Sequence, residues 1–156
     1  MEINFDGPSG TIQIAIALLL GLGAMGYGAY SYAVQSSALS SAETVDATIV
    51  STSVEEHAQR RGTGYSPHAT FDYTYDGETY TSSNVYPGKL PREFGSEEDA
   101  RAKLEGYEPG DTVTAYVPSD APGNAFLKHE RSNKPLLVIG LGGILVIGTI
   151  YSLLKP

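Results

Sequence analysis

Two long stretches without a charged residue, one near each end of the chain, constrain the fold more than any other feature. The first runs from Gly7 to Ala42 and the second from Pro135 to Leu154. Each reaches the roughly 18 to 20 apolar residues that a helix needs to cross a hydrocarbon core about 30 Å thick. These stretches predict two transmembrane helices, so we expect the chain to cross a membrane twice.

The two stretches also set the predicted segment boundaries. Transmembrane helices are expected over residues 11–34 and 135–154, with a linker, 35–43, and a water-exposed domain, 44–130, between them. Short tails cover residues 1–10 and 155–156. Two crossings place both termini on one side and the domain on the other. The side stays open, because a domain longer than roughly 60 residues is translocated largely regardless of its charge.

A cleaved signal peptide is the main alternative for the first stretch. Signal peptides combine a basic amino-terminal region with an apolar core of about 7 to 15 residues. Here the preceding tail contains Glu2 and Asp6 and no lysine or arginine, and the apolar run is longer. We therefore expect a retained helix.

Small residues recur at helical spacing in both predicted helices. In the first helix they follow one face, and in the second they form a short patch. These residues are Ala17, Gly21, Ala24, Gly28, Gly140 and Gly143. Because small side chains let helix backbones approach closely in lipid, we predict that the two helices pack together through them.

The middle of the chain alternates apolar and polar residues, which predicts β-strands. The strongest signal is a hairpin in which the runs 69–75 and 78–85 flank Asp76 and Gly77. An Asp-Gly pair between alternating runs supports the positive φ angles of a type I′ turn. Further strands are expected over 44–54, 112–117 and 125–127, whereas the charged stretch 55–64 has the composition of a loop.

One short helix is expected after the hairpin. Ser96 suits the N-cap position, acidic residues follow it, and Gly106 provides a stop. The sequence thus predicts a membrane protein in which two transmembrane helices flank a small α+β domain. That domain would be an antiparallel β-barrel or sandwich of about five strands with one short helix.

Composition excludes several kinds of chemistry. The chain has no cysteine, so disulfides, thiolate nucleophiles and Cys-ligated metals are ruled out. Its histidines, His57, His68 and His129, lack the spacing of metal ligands, and no common catalytic motif occurs. We predict no catalytic residue, no cofactor and no metal, and hence a protein that is not an enzyme.

The charge balance also limits the partners. There are 18 Asp+Glu against 10 Lys+Arg, which gives a formal net charge of -8. A nucleic-acid partner is therefore not expected, because a phosphate backbone needs a basic face. An acidic surface poor in lysine is also typical of proteins that work in high salt.

Tyrosines are concentrated in the predicted hairpin. Tyr73, Tyr75 and Tyr80 form a candidate interaction surface, since aromatic faces stack on ligands and partners. The alternative is that they pack a small core with their hydroxyl groups at its rim. A ligand-binding or enzymatic role would combine this face with nearby acids such as Asp72 and Glu78.

The order of tyrosines, prolines and glycines in the middle of the chain resembles a known pattern. The residues that carry it are Tyr65, Pro67, Phe71, Tyr73, Tyr75, Asp76, Gly77, Tyr80, Tyr107, Pro109, Gly110, Val113, Tyr116, Pro118, Asp120, Pro122, Asn124, Ala125 and Leu127. With the apolar helix that follows, they resemble a widespread prokaryotic family of two-pass membrane proteins known only as a domain of unknown function. The likeness covers about Val45 to Leu154, and Ala115 and Val117 depart from the usual pattern. It implies an architecture and carries over no catalytic residue.

These features lead to one main functional hypothesis. The chain is expected to be a membrane-anchored, non-enzymatic interaction or accessory module, with the lipid bilayer and another membrane or envelope protein as partners. One alternative is a ligand-binding or enzymatic domain that uses the tyrosine-rich hairpin face. Another is a subunit of a larger complex, such as a homo-oligomer, assembled through the small-residue helix faces.

Overall fold

Two helices occupy the uncharged stretches of the sequence. In the computed structural model, α1 covers Thr11–Ser40 and α3 covers Lys134–Leu154. At about 1.5 Å per residue they are about 45 and 32 Å long. Proline lies in the first turn of α3, where its missing N–H breaks no helical hydrogen bond. The two predicted helices are therefore present.

The structure describes residues 10–155, so most of the predicted amino-terminal tail and Pro156 lie outside the described residues. The described residues form two compact units. One is Val34–Ser132, which we call the β-unit. The other consists of the segments before and after it, and we call it the helical unit.

Helix α1 continues through most of the predicted linker. Serine side chains bond back to the backbone at the end of this extension, where Ser40 Oγ and Ser41 Oγ donate to the Ser37 carbonyl at 3.1 and 2.8 Å. Hydroxyl groups can bond back to a carbonyl three or four residues earlier without ending the helix. Ser37 Oγ donates to Asp120 Oδ2 at 2.7 Å, and this bond is the main reason that the pKa of Asp120 is lowered.

The β-unit is built on a four-stranded antiparallel sheet with the order β3-β2-β1-β4. The strands are β1, Ala42–Gln59; β2, Gly62–Tyr75; β3, Glu78–Ser82; and β4, Thr112–Pro118. Strands β1 and β2 pair from Gln59 with Gly62 to Ala47 with Tyr73, with one irregularity near Val50. The charged stretch predicted as a loop is therefore mostly a hairpin. Its apolar alternation is weak because polar side chains occupy both faces.

The second hairpin forms at the predicted Asp-Gly turn. Asp76 and Gly77 have φ angles of 50° and 81°, and Tyr75 pairs with Glu78 across them. Both positive values agree with the predicted type I′ turn. The prediction of this hairpin is confirmed.

One face of the sheet carries the core. Phe71 is fully buried, and Ile49 and Val117 are at most 1% exposed. The loop that follows β3 and the short helix α2, Glu97–Ala102, cover this face with Val85 and Leu104. The backbone N–H of Asp99 donates to Ser96 Oγ at 3.1 Å, so the predicted N-cap is confirmed.

The predicted barrel or sandwich of about five strands is wrong for the described residues, because the structure has an open four-stranded sheet. The segment 125–127 makes only single bridges, in which Phe126 pairs with Tyr116 on β4 and with Asn84 beyond β3. It follows directly on a 3-10 turn over Pro122–Asn124 and is too short to form a ladder. The segment therefore does not add a fifth strand, and the sheet stays open.

Candidate functional site

Three glycines bring α1 and α3 together within the helical unit. A Cβ atom at Gly21 would lie 3.0 Å from the Gly142 carbonyl oxygen, and one at Gly28 would lie 2.9 Å from the Pro135 carbonyl oxygen. A Cβ atom at Gly142 would lie 2.6 Å from the Gly21 carbonyl oxygen. The helices thus approach backbone to backbone and run antiparallel. We call this contact the glycine seam.

The seam uses part of the small-residue pattern in the sequence. Gly21 and Gly28 are buried in it, and Ala17 and Ala24 are partly buried on the same face. On α3 the contact falls on Gly142, whereas added Cβ atoms at Gly140 and Gly143 would meet nothing within 4 Å. Gly142 escaped the sequence analysis although it lies three residues after Ile139 and four before Val146. That alternating spacing of three and four marks the inner face of a packed helix pair.

The helical unit buries its small and polar residues and exposes its large apolar ones. Ser31 and Thr149 are each only 1% exposed, and Thr149 donates its hydroxyl to the Leu145 carbonyl at 2.7 Å. Exposed side chains include Ile12, Leu19, Leu20, Leu141, Ile144, Ile147 and Leu154. A protein folded in water buries such residues. The reverse distribution suits a hydrocarbon surround, in which close backbone packing takes the place of a hydrophobic core.

The hairpin tyrosines are mostly committed to the fold. Tyr73 is 3% exposed, stacks on Tyr80 with ring centroids 5.6 Å apart, and donates its hydroxyl to the Pro122 carbonyl. Tyr80 donates to Glu78 Oε2 at 2.6 Å. Burial raises the pKa of Tyr73, and the hydrogen bond to Glu78 raises that of Tyr80. Burial and a hydrogen bond to Glu43 raise the pKa of Tyr75. All three are therefore neutral hydrogen-bonding groups near pH 7.

The acids next to these tyrosines do not complete a catalytic set with them. Asp72 neighbours Tyr73 in β2, so its side chain lies on the opposite face of the sheet. Its carboxylate accepts a hydrogen bond from Thr81 Oγ1 at 2.6 Å. Glu78 is bound to the Tyr80 hydroxyl as described above.

The histidines remain separate in space. His68 Nε2 lies 2.9 Å from Glu55 Oε2, and His129 Nε2 lies 2.9 Å from the Leu39 carbonyl oxygen. The His129 ring also packs 5.2 Å from Tyr116. Over residues 10–155, no group of three His, Cys, Asp or Glu side chains is placed to hold a metal ion.

Both edges of the sheet keep open backbone groups. On β4, the outward N–H and C=O of Tyr116 bond to Phe126 at 2.8 and 3.0 Å. Because outward groups alternate along a strand, those of Thr112 and Thr114 also face away from β1. By the same alternation from the turn pair Tyr75 and Glu78, the outward residues of β3 are Thr79 and Thr81.

Threonines also cover the solvent face of the sheet. One row of paired residues crosses all four strands in the order Thr81, Asp72, Thr48 and Thr112. The side chains of these three threonines and of the aspartate are exposed. The result is a flat, hydroxyl-rich surface that is continuous with both open edges.

The fold and the helices define a class of protein, a small β-unit whose sequence lies between two helices long and apolar enough to cross a membrane. The chain belongs to the family described as Domain of unknown function (DUF3592), whose model matches residues 45–132. This match confirms the expected domain of unknown function. It begins inside β1 and ends at the last residue of the β-unit, so it covers neither α1 nor α3. No curated protein matches the chain.

Proposed function

We propose that this protein is a two-pass membrane protein whose helix pair anchors the β-unit as a non-enzymatic interaction module. The observation that carries the proposal is the helical unit, which buries glycine, serine and threonine and exposes leucine and isoleucine. This distribution is favourable in hydrocarbon and unfavourable in water. It supports a membrane location.

Interaction rather than catalysis is supported by the β-unit itself. Tyr73 and Tyr80 are held within the fold, and the acids next to them, Asp72 and Glu78, are bound to a threonine and a tyrosine hydroxyl. The open edges formed by Thr112 and Thr114 and by Thr79 and Thr81 can accept a strand from another protein. Another membrane or envelope protein is the partner that such a module would meet.

We expect the chain to place both termini on the same side of the membrane and the β-unit on the other. Trypsin added to sealed vesicles should then cut either the exposed turn at Arg60 and Arg61 or a terminal tag, and never both. Vesicles of the opposite orientation serve as the control, since they should give the complementary pattern. Cleavage of the turn and a tag from one side of intact vesicles contradicts two crossings.

We expect partner binding to depend on a sheet edge. Proline at Thr114 removes an outward N–H while leaving the ladder between β4 and β1 intact, and proline at Thr81 does the same on β3. Affinity purification in mild detergent should recover a partner with the wild-type chain and lose it with one of these variants. Thr48→Ala, on a central strand, is the matched control and should retain it.

Two outcomes count against this mode of binding. The partner could persist with both proline variants, or the wild-type chain could be recovered alone even after crosslinking. Either result removes edge recognition. The topology measurement stands apart from it, so the membrane anchor and the interaction role are tested separately.

Assembly into a larger complex is a second candidate, because Gly140 and Gly143 are left unused by the glycine seam. They present a smooth patch where another helix could approach. Replacing both with leucine should then reduce the oligomeric size in bilayers. An unchanged size rejects this candidate.

A further inference from the structure

A cavity of about 190 Å³ lies in the β-unit between β2 and the loop that follows β3. It arises because β3 ends at Ser82, whereas β2 extends back to Gly62. The chain rejoins β2 only at Phe94, which exchanges backbone hydrogen bonds with Tyr65 at 3.0 and 2.8 Å. Between these points it bows away from the strand and leaves a gap.

Polar side chains line this gap from both sides. Ser66 and His68 approach it from β2, and Asn84, Tyr86, Lys89 and Arg92 approach it from the loop. Ser66 is only 2% exposed, and its hydroxyl has no hydrogen-bond partner within residues 10–155. A buried hydroxyl in native structures normally has a partner. Its free donor therefore points to a ligand at this place.

Arg92 is held rigidly at the cavity. Its Nη1 donates to Glu130 Oε2 at 2.7 Å, and its Nη2 donates to the Arg131 carbonyl at 2.9 Å. Its guanidinium also lies 4.1 Å from the centre of the Tyr86 ring. The two hydrogen bonds use two of five N–H donors, so the group is positioned and retains donors for a ligand.

The charge of the cavity is opposite to that of the chain. Lys89 and Arg92 line it, and no aspartate or glutamate does, although the chain has a formal net charge of -8. Burial raises the pKa of Tyr86, and the Arg92 charge offsets part of this rise, so its hydroxyl remains a neutral donor. Two acids adjoin the lining: Glu130 accepts the hydrogen bond from Arg92, and Glu55 lies 2.9 Å from His68. The lining side chains are rich in donors, and the two lysine and arginine charges among them, Lys89 and Arg92, are positive.

We propose that this cavity binds a small oxyanion, either a phosphate or a carboxylate group. Ser66 Oγ and the nitrogens of Arg92 and Lys89 supply the hydrogen bonds that such a group accepts. The volume lies well below the about 300 to 1,000 Å³ that is typical of sites for drug-sized ligands. The site therefore takes a small anion or the charged end of a larger molecule.

The test uses the full chain in nanodiscs of zwitterionic lipid, titrated with inorganic phosphate or with acetate at constant ionic strength. Calorimetry should show saturable binding by at least one of these probes. Lys89→Gln should weaken it about 10-fold, since it removes one charge-assisted contact. Lys103→Gln removes a lysine outside the cavity and should leave the affinity unchanged. Ser66→Ala should also weaken binding, and this substitution leaves the charge of the cavity unchanged.

A lipid headgroup is the other source of the same chemistry. Nanodiscs that contain a phosphate-monoester lipid provide this arm, with stabilisation of the β-unit against denaturant as the readout. Binding of free anions, or stabilisation by this lipid that Lys89→Gln reduces, supports the site. If neither occurs, or if Lys103→Gln reduces binding as much as Lys89→Gln, the proposal is overturned.

Discussion

Replacing Gly142 with leucine should separate α1 from α3. A Cβ atom at this position would lie 2.6 Å from the Gly21 carbonyl oxygen and 2.9 Å from the Met25 backbone nitrogen. Both are backbone atoms, so no side-chain rotation relieves the overlap. Overpacking costs about 1–3 kcal/mol or more, and here the helix backbones themselves must move apart.

The measurement uses spin labels on two introduced cysteines, Ile12→Cys and Leu154→Cys. The chain has no native cysteine, so labelling is specific, and both positions are exposed. In the antiparallel pair these residues lie near the same end of the helical unit. The wild-type chain should give a short, narrow distance distribution in bilayers, and Gly142→Leu should give a longer and broader one.

Two matched controls sit on the same helix. Gly140→Leu and Gly143→Leu add the same side chain where nothing lies within 4 Å, so the distance between the labels should not change. If all three variants behave alike, the effect comes from helix composition and the glycine seam is wrong. An unchanged distance in Gly142→Leu alone leads to the same conclusion.

The sequence predicts the helix pair well and its contact less well. Uncharged length alone indicates α1 and α3, because few other structures accommodate such stretches. To predict which residues of α3 face α1, one must know how each helix is rotated about its axis. Gly140, Gly142 and Gly143 lie within one helical turn, so composition does not distinguish them, and only the facing atoms of α1 do so.

Local signals were equally effective in the second hairpin. Asp76 and Gly77 take positive φ angles that few other residue pairs tolerate, so the turn is readable from two residues. The first hairpin carries no such mark. Its turn is Arg60 and Arg61, and the residues beside the turn do not alternate between apolar and polar, so no sequence pattern marks the pairing of Gln59 with Gly62 and of Ala58 with Thr63.

The open sheet and the oxyanion cavity depend on strand lengths rather than on motifs. Strand β2 has 14 residues and β3 has 5. Half of β2 therefore has no β3 residue beside it. The returning loop, which contains Lys89 and Arg92, passes along that half instead. No local pattern around these two residues marks a site, because the cavity comes from a mismatch between elements that only the register reveals.

Replacing Phe126 with alanine should remove much of the stability of the β-unit. Phe126 is fully buried, and its ring stacks on Tyr116 at 5.6 Å and lies 6.1 Å from His129. A buried phenylalanine replaced by alanine costs about 3–5 kcal/mol. A domain of this size is stable by about 5–15 kcal/mol, so the loss is a large share of the total.

The variant isolates the ring from the backbone. Alanine keeps the two backbone hydrogen bonds that Phe126 exchanges with Tyr116, at 2.8 and 3.0 Å, so the edge contact of β4 is still available. The free energy of unfolding should be measured by urea denaturation in mild detergent, followed by near-ultraviolet circular dichroism of the tyrosines. Most of these lie in the β-unit, and urea leaves detergent-embedded helices folded, so the transition reports the β-unit.

Val50→Ala is the matched control, because Val50 is an apolar residue at the irregularity of β1 and is 50% exposed. The free energy of unfolding should change by no more than about 0.5 kcal/mol in this variant, as for surface substitutions in general. A loss below about 1 kcal/mol for Phe126→Ala would contradict full burial of the ring. A loss of about 3–5 kcal/mol would establish that the short segment after Pro122–Asn124 stabilises the β-unit through one aromatic side chain, although the segment forms no ladder.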